Sequence, residues 1–150
     1  MTMVSQWSKV ALKISATIGA SEDPLKVIRA LRNVAGGLEP SSSVEKDSIA
    51  ILRYEGDSAL QSFFHKIRDR QIISAARRLL LRNLDGETTQ IMLNRQAAFV
   101  QNIVLCEEET ESPLGPIFLE IDSPEILRVI DWLAPDVSEE ERERKRAKRK

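Results

Sequence analysis

The stretch Thr88–Ile121, TTQIMLNRQAAFVQNIVLCEEETESPLGPIFLEI, decides the fold. Thr88–Leu93 alternates apolar and polar side chains, the period of a strand with one buried face. Asn94-Arg95-Gln96 is a polar corner, and Phe99–Cys106 reads as a second strand. The acidic loop Glu107–Glu111 leads through Pro113-Leu114-Gly115-Pro116 to a third strand, Ile117–Ile121. No helical pattern intervenes to make a crossover. Strands that follow one another in this way pair antiparallel.

Upstream, Val10, Leu12, Ile14, Ala16 and Ile18 alternate with Ala11, Lys13, Ser15 and Thr17, which predicts a first strand. Asp23-Pro24 then supplies a helix cap followed by proline at the first helical position. The helix buries Val27, Ile28, Leu31, Val34 and Ala35, turns Lys26, Arg29 and Asn33 outward, and ends at Gly36-Gly37. Leu38–Asp47 is expected to be a Pro/Ser-rich loop and Ser48–Tyr54 a strand. Leu60, Phe63, Phe64 and Ile67 fall within about 100° of one another on a helical wheel and predict a second helix. A third spans Ile72–Leu84, and a last one begins at Ser123-Pro124 with Ile126, Leu127, Val129, Ile130 and Leu133 inward.

The order β-α-β-α-α-β-β-β-α predicts an α+β fold: a mostly antiparallel sheet of about five strands with helices packed on one face. A chain of 150 residues with 42% hydrophobic and 30% charged residues suits one domain with its own core. Residues 1–137 are expected to form it, with 138–150 a charged, flexible tail. The net charge of -1 is unevenly spread. The tail holds 7 of the 22 basic residues and 4 of the 23 acidic ones, so the body is acidic and the tail basic. Any polyanion site in the body must therefore be a local patch. The start of the chain lacks the pattern of a signal peptide, and Ile72–Leu84 is interrupted by Arg77, Arg78 and Arg82. A cytoplasmic protein with no membrane span is expected.

Groups for catalysis are few. His65 is the single histidine and lies opposite the apolar stripe of its helix; Cys106 is the single cysteine and sits in a strand. These two build no tetrahedral metal site, and no glycine loop for phosphates or dinucleotides is present. The expectation is no catalytic residue, no metal and no cofactor. A hard cation on Glu107, Glu108, Glu109 and Glu111 competes with the plainer reading of a solvated acidic loop. Lys66, Arg68, Arg70, Arg77, Arg78 and Arg82 crowd the middle helices, with Ser74, Arg78 and Arg82 spaced by four on one face. Guanidinium groups at that pitch suit successive phosphates, and an ordinary solvated face is the alternative.

Five stretches taken together resemble a known family: Ala20–Val27, Gln71–Arg77, Leu93–Val100, Pro113–Ile117 and Ile130–Pro135. The chain is similar, over about Val10–Pro135, to a family of small archaeal proteins labelled RNA-binding. The resemblance implies a fold like that of the fifth protein of the large ribosomal subunit, a homodimer, and an archaeal cytoplasm where high charge suits heat. It supplies no catalytic residue. Lysine is common in that family where Arg95 stands. With this implication, RNA binding leads. Its expected contacts are Arg77, Arg78 and Arg82 on the helix and Asn94, Arg95 and Gln96 at the corner. A homodimeric interaction module without nucleic acid is the alternative, and a small hydrolase a remote one.

Overall fold

The structure, a computed structural model, describes residues 9–137 and 146–147. Six strands form one open antiparallel sheet: β1 (Ala11–Thr17), β2 (Ser42–Lys46), β3 (Ile49–Glu55), β4 (Thr88–Leu93), β5 (Leu105–Cys106) and β6 (Ile117–Asp122). Their spatial order is β2-β3-β1-β6-β4-β5. Register follows the alternation read in the sequence. Ile14 stands opposite Leu52 on one side and Leu119 on the other, and Leu119 faces Ile91. All four side chains are buried. A slip of one residue would turn this row to solvent and bring Lys13, Arg53, Glu120 and Gln90 inward, so burial itself fixes the register.

The helices cover that apolar face: α1 (Pro24–Val34), α2 (Ser58–Asp69), α3 (Ile73–Arg82), α4 (Arg95–Phe99) and α5 (Ile126–Leu133). Asp23 caps α1 by accepting a hydrogen bond from the Leu25 N–H at 3.0 Å, with Pro24 next in line. At its far end Gly36 takes φ +71°, and a Cβ there would come within 2.9 Å of Ser62 Cβ. The start of the loop after α1 therefore lies close against α2. Phe63, Ile67, Leu79 and Leu80 fill the layer between helices and sheet.

Two expectations are corrected. The segment read as a loop, residues 38–47, contains the edge strand β2, whose five residues are all exposed. An edge strand with no buried face carries no apolar alternation to read. It closes on β3 by a two-residue turn in which Asp47 and Ser48 both take positive φ (55° and 62°), the backbone a tight hairpin needs. The second correction concerns Phe99–Cys106, read as one strand. Asn94 caps the short helix α4, Gln101 reverses the chain at φ 66°, and only Leu105–Cys106 pairs with β4. Ile103 is buried without belonging to a strand. The sheet therefore has six strands rather than about five.

Arginine closes the end of α5. Arg68 Nη1 donates to the carbonyls of Phe64 and Leu133, both at 2.9 Å, and Nη2 to that of Trp132 at 3.3 Å. Its guanidinium lies 3.4 Å from the Phe64 ring centre, and Phe64 stacks on Trp132 at 4.8 Å. The last carbonyls of a helix lack partners within it, and a cation there also meets the negative end of its dipole.

Tyr54 ties sheet to loop by donating to the Leu38 carbonyl at 2.8 Å. Burial, only partly offset by the charge of Arg32, pushes its phenol up to about 12. Its stabilising contribution is thus complete below the ordinary tyrosine value near 10 and falls as pH rises from there towards 12. Unfolding titrations between pH 9 and 12 should show a steeper alkaline loss for the wild type than for Tyr54→Phe. Parallel curves would assign that loss to other groups.

Candidate nucleic-acid interface

The basic residues expected on α3 differ in what they touch. Arg77 turns toward α5, donating from Nη1 to Asp131 Oδ1 at 2.7 Å and to the Ala134 carbonyl at 3.1 Å. With Arg68 it holds the end of that helix. Arg78 faces outward and pairs with Glu107 at 2.5 Å. Arg82, also exposed, donates to the Glu107 backbone carbonyl at 3.2 Å. The acidic loop thus supplies the partners of the outward α3 row. Exposed pairs of this kind contribute about 0–1 kcal/mol, so a phosphate can displace them.

The polar corner is a helix start. Asn94 Oδ1 accepts from the Ala97 N–H at 2.9 Å, while the Asn94 N–H donates to the Val104 carbonyl. Gln96 is exposed. Arg95, expected among the RNA contacts at the corner, is instead buried, at 4% exposed. Its Nη1 donates to Glu22 Oε1 at 2.6 Å and its Nη2 to Thr17 Oγ1 at 3.4 Å, while Nε is buried without a partner. Glu22 Oε1 also accepts from the Gly19 N–H at 2.7 Å. Gly115 beside this group takes φ +97°, a backbone conformation that favours glycine. Ser112 completes the seat by accepting from the Arg95 N–H.

Beside this pair lies a cavity of about 380 Å³ between α1 and α4. Asn33 holds the two helices together, donating to the carbonyls of Ala98 and Phe99 at 3.1 Å each. On the outer side of α1, Lys26 and Arg29 are exposed, one turn apart, and have no carboxylate partner in an ion pair among the described residues. Arg32 further along pairs with Glu39. The sequence shows Lys26 and Arg29 facing out. Their spacing of three on one face is the available sign of a basic patch.

Burial first, and then the charge of Glu111, raise the Cys106 thiol above its ordinary value. The thiol is buried, so alkylation of the folded protein should be slow and should accelerate in denaturant. Fast stoichiometric labelling without denaturant would contradict that burial. Among the described residues no group of three or more His, Cys, Asp or Glu is placed to hold a metal ion, and no helix is long and apolar enough to cross a membrane. The expected tail, residues 138–150, lies outside the described residues apart from 146 and 147, which are exposed.

A family model described as RNA binding matches residues 11–122. A UPF0201 protein of Methanothermobacter thermautotrophicus is 40% identical over 128 residues, covering 85% of this chain and 92% of that protein. One from Sulfurisphaera tokodaii is 39% identical over 124 residues, covering 81% and 85%. The crystal structure of a UPF0201 protein from Methanococcus jannaschii aligns with a TM-score of 0.68 at 26% identity, over 83% of this chain and 92% of that one.

Proposed function

Because the chain belongs to the archaeal UPF0201 proteins and to the family described as RNA binding, we propose that it binds RNA in the cytoplasm through phosphate contacts from its helical layer. The observation that carries this reading is the pair Lys26 and Arg29, two exposed cations one turn apart that no described carboxylate neutralises. Arg78 and Arg82 on α3 extend the contact surface once phosphate replaces Glu107. Gln96 adds a neutral hydrogen-bonding group, while Asn94, Arg95 and Arg77 support the surface from within. Such contacts fix position and affinity without reading sequence. A gel-shift panel of structured RNA, single-stranded RNA and duplex DNA at 0.1 M salt tests the function. Binding to RNA with log affinity falling linearly in log salt is expected. No binding to any RNA would overturn it.

A homodimer is the second part of the proposal. Leu81 on α3 is 40% exposed, and the sheet edge presents Val44 at 47% and Ile49 at 41%. Exposed apolar side chains are characteristic of contact surfaces, and these lie in two places, on α3 and on the β2–β3 hairpin. Light scattering at micromolar concentration should give twice the chain mass of 16.9 kDa. A clean species of single-chain mass would remove the dimer and leave the RNA reading in place.

A further inference from the structure

The cavity between α1 and α4 has a different chemistry from the basic surface beside it. It has a large apolar share in its lining: Val27 and Ala30 from α1, Phe99 from α4 and Leu114 from the loop before β6. The charges at its floor are already matched, since Arg95 pairs with Glu22 and the Asp23 carboxylate caps α1. Apart from Lys26, a bare phosphate would meet apolar side chains and a guanidinium already engaged by a carboxylate. A flat, largely neutral ring would meet surfaces suited to it. The volume of about 380 Å³ is that of a site for a small organic group.

Two further observations point to an occupant. Phe99 and Leu114, both lining the cavity, are 37% and 58% exposed. Exposed apolar groups that line a cavity are characteristic of binding sites. Leu114 also sits at φ +69°, a conformation costly for any residue but glycine, which the fold maintains while presenting its side chain at the cavity. The polar side chains Gln96 and Lys26 line the same cavity, and Arg95 beneath it keeps one buried N–H without an acceptor.

We propose that this cavity receives one unstacked nucleobase of the bound RNA. Phe99 is its stacking surface, Gln96 its hydrogen-bonding partner, and Lys26 lies beside the flanking phosphate. The inference rests on the RNA-binding reading and extends it: the outward cations hold the backbone and the cavity holds a base. Base recognition in single-stranded RNA commonly pairs an aromatic face with hydrogen bonds to the base edge.

The test compares a single-stranded RNA octamer with an abasic octamer of the same ribose-phosphate backbone, in a salt series. The RNA should bind roughly ten-fold tighter or more, the size of a base–aromatic contact. Phe99→Ala should bring the two affinities together while leaving the salt slope unchanged, because every phosphate keeps its cation. Should Phe99→Ala fail to fold, Leu114→Ser supplies a second variant in the cavity lining, with the same expected loss of preference. Equal binding of both octamers by the wild-type protein, with an ordinary salt slope, would overturn the base site and keep the RNA-binding reading. Failure of both octamers to bind at low salt would overturn the base site and the RNA-binding reading together.

Discussion

Replacing Arg95 by leucine should lower stability by about 3–5 kcal/mol, the cost of leaving one buried charge without its partner. Its side chain is 5% exposed and that of Glu22 only 11%, so water cannot replace what the substitution removes. Glu22 would keep the Gly19 N–H and lose its cation. For a chain of this size such a loss corresponds to a melting temperature lower by roughly 6–20 °C. Arg95→Lys keeps the charge but not the fork that reaches both Glu22 and Thr17, and should lie between the two. The double variant Glu22→Leu/Arg95→Leu removes both charges and should cost far less than the two single changes added together, because a buried pair exchanged for apolar groups is often nearly neutral. Thermal and denaturant unfolding of the wild type, Arg95→Leu, Arg95→Lys, Glu22→Leu and the double variant decides it. If Arg95→Leu melts with the wild type, Arg95 does not hold this part of the fold.

Charge reversal on α1 should have the largest effect on RNA. Removing two cations from the phosphate backbone would flatten the plot of log affinity against log salt by roughly 1.4–1.8. Extrapolated from 1 M to 0.1 M salt, that is a loss of roughly 25- to 60-fold. Lys26→Glu/Arg29→Glu should show it on every RNA alike, with melting little changed, because both side chains are exposed. Arg78→Glu/Arg82→Glu should also weaken binding, but by less, since Arg78 must first leave Glu107. For the same reason Glu107→Gln should tighten binding. An α1 double variant with unchanged affinity and slope would exclude that face as the contact surface. The α3 row would then carry the contacts alone.

What is legible in the sequence follows the physics of burial. β1, β3, β4 and β6 each bury one face, so their period of two is readable, and apolar stripes mark α1 to α3. β2 buries nothing and gives no such sign. α4 has five residues, too few for a helical stripe, and the apolar run Phe99–Cys106 around it imitates a strand. At the interface the difficulty is one of partners. A helical wheel shows which way Arg77 points, but not that Asp131 and the end of α5 wait there from 54 and 57 residues away. The burial of Arg95 is hidden for the same reason, because Glu22 lies 73 residues earlier in the chain. The outward direction of Lys26 and Arg29 is plain from the wheel. Only the structure shows them beside a cavity.

The central place of β1 has a consequence for biosynthesis. β1 is hydrogen-bonded to β3 on one side and to β6 on the other. A chain growing from its N-terminus can offer β3 once residue 55 has been made, but not β6 until residue 122. At about 5–20 residues per second that interval lasts several seconds. Throughout it β1 has an open edge, and Leu12 and Ile14 lack the cover that Ile121 and Leu119 later provide. A nascent chain in that condition is a template for strand pairing with its neighbours on a polysome. Production of this protein should therefore depend on chaperones that shield extended apolar segments until the last strand arrives.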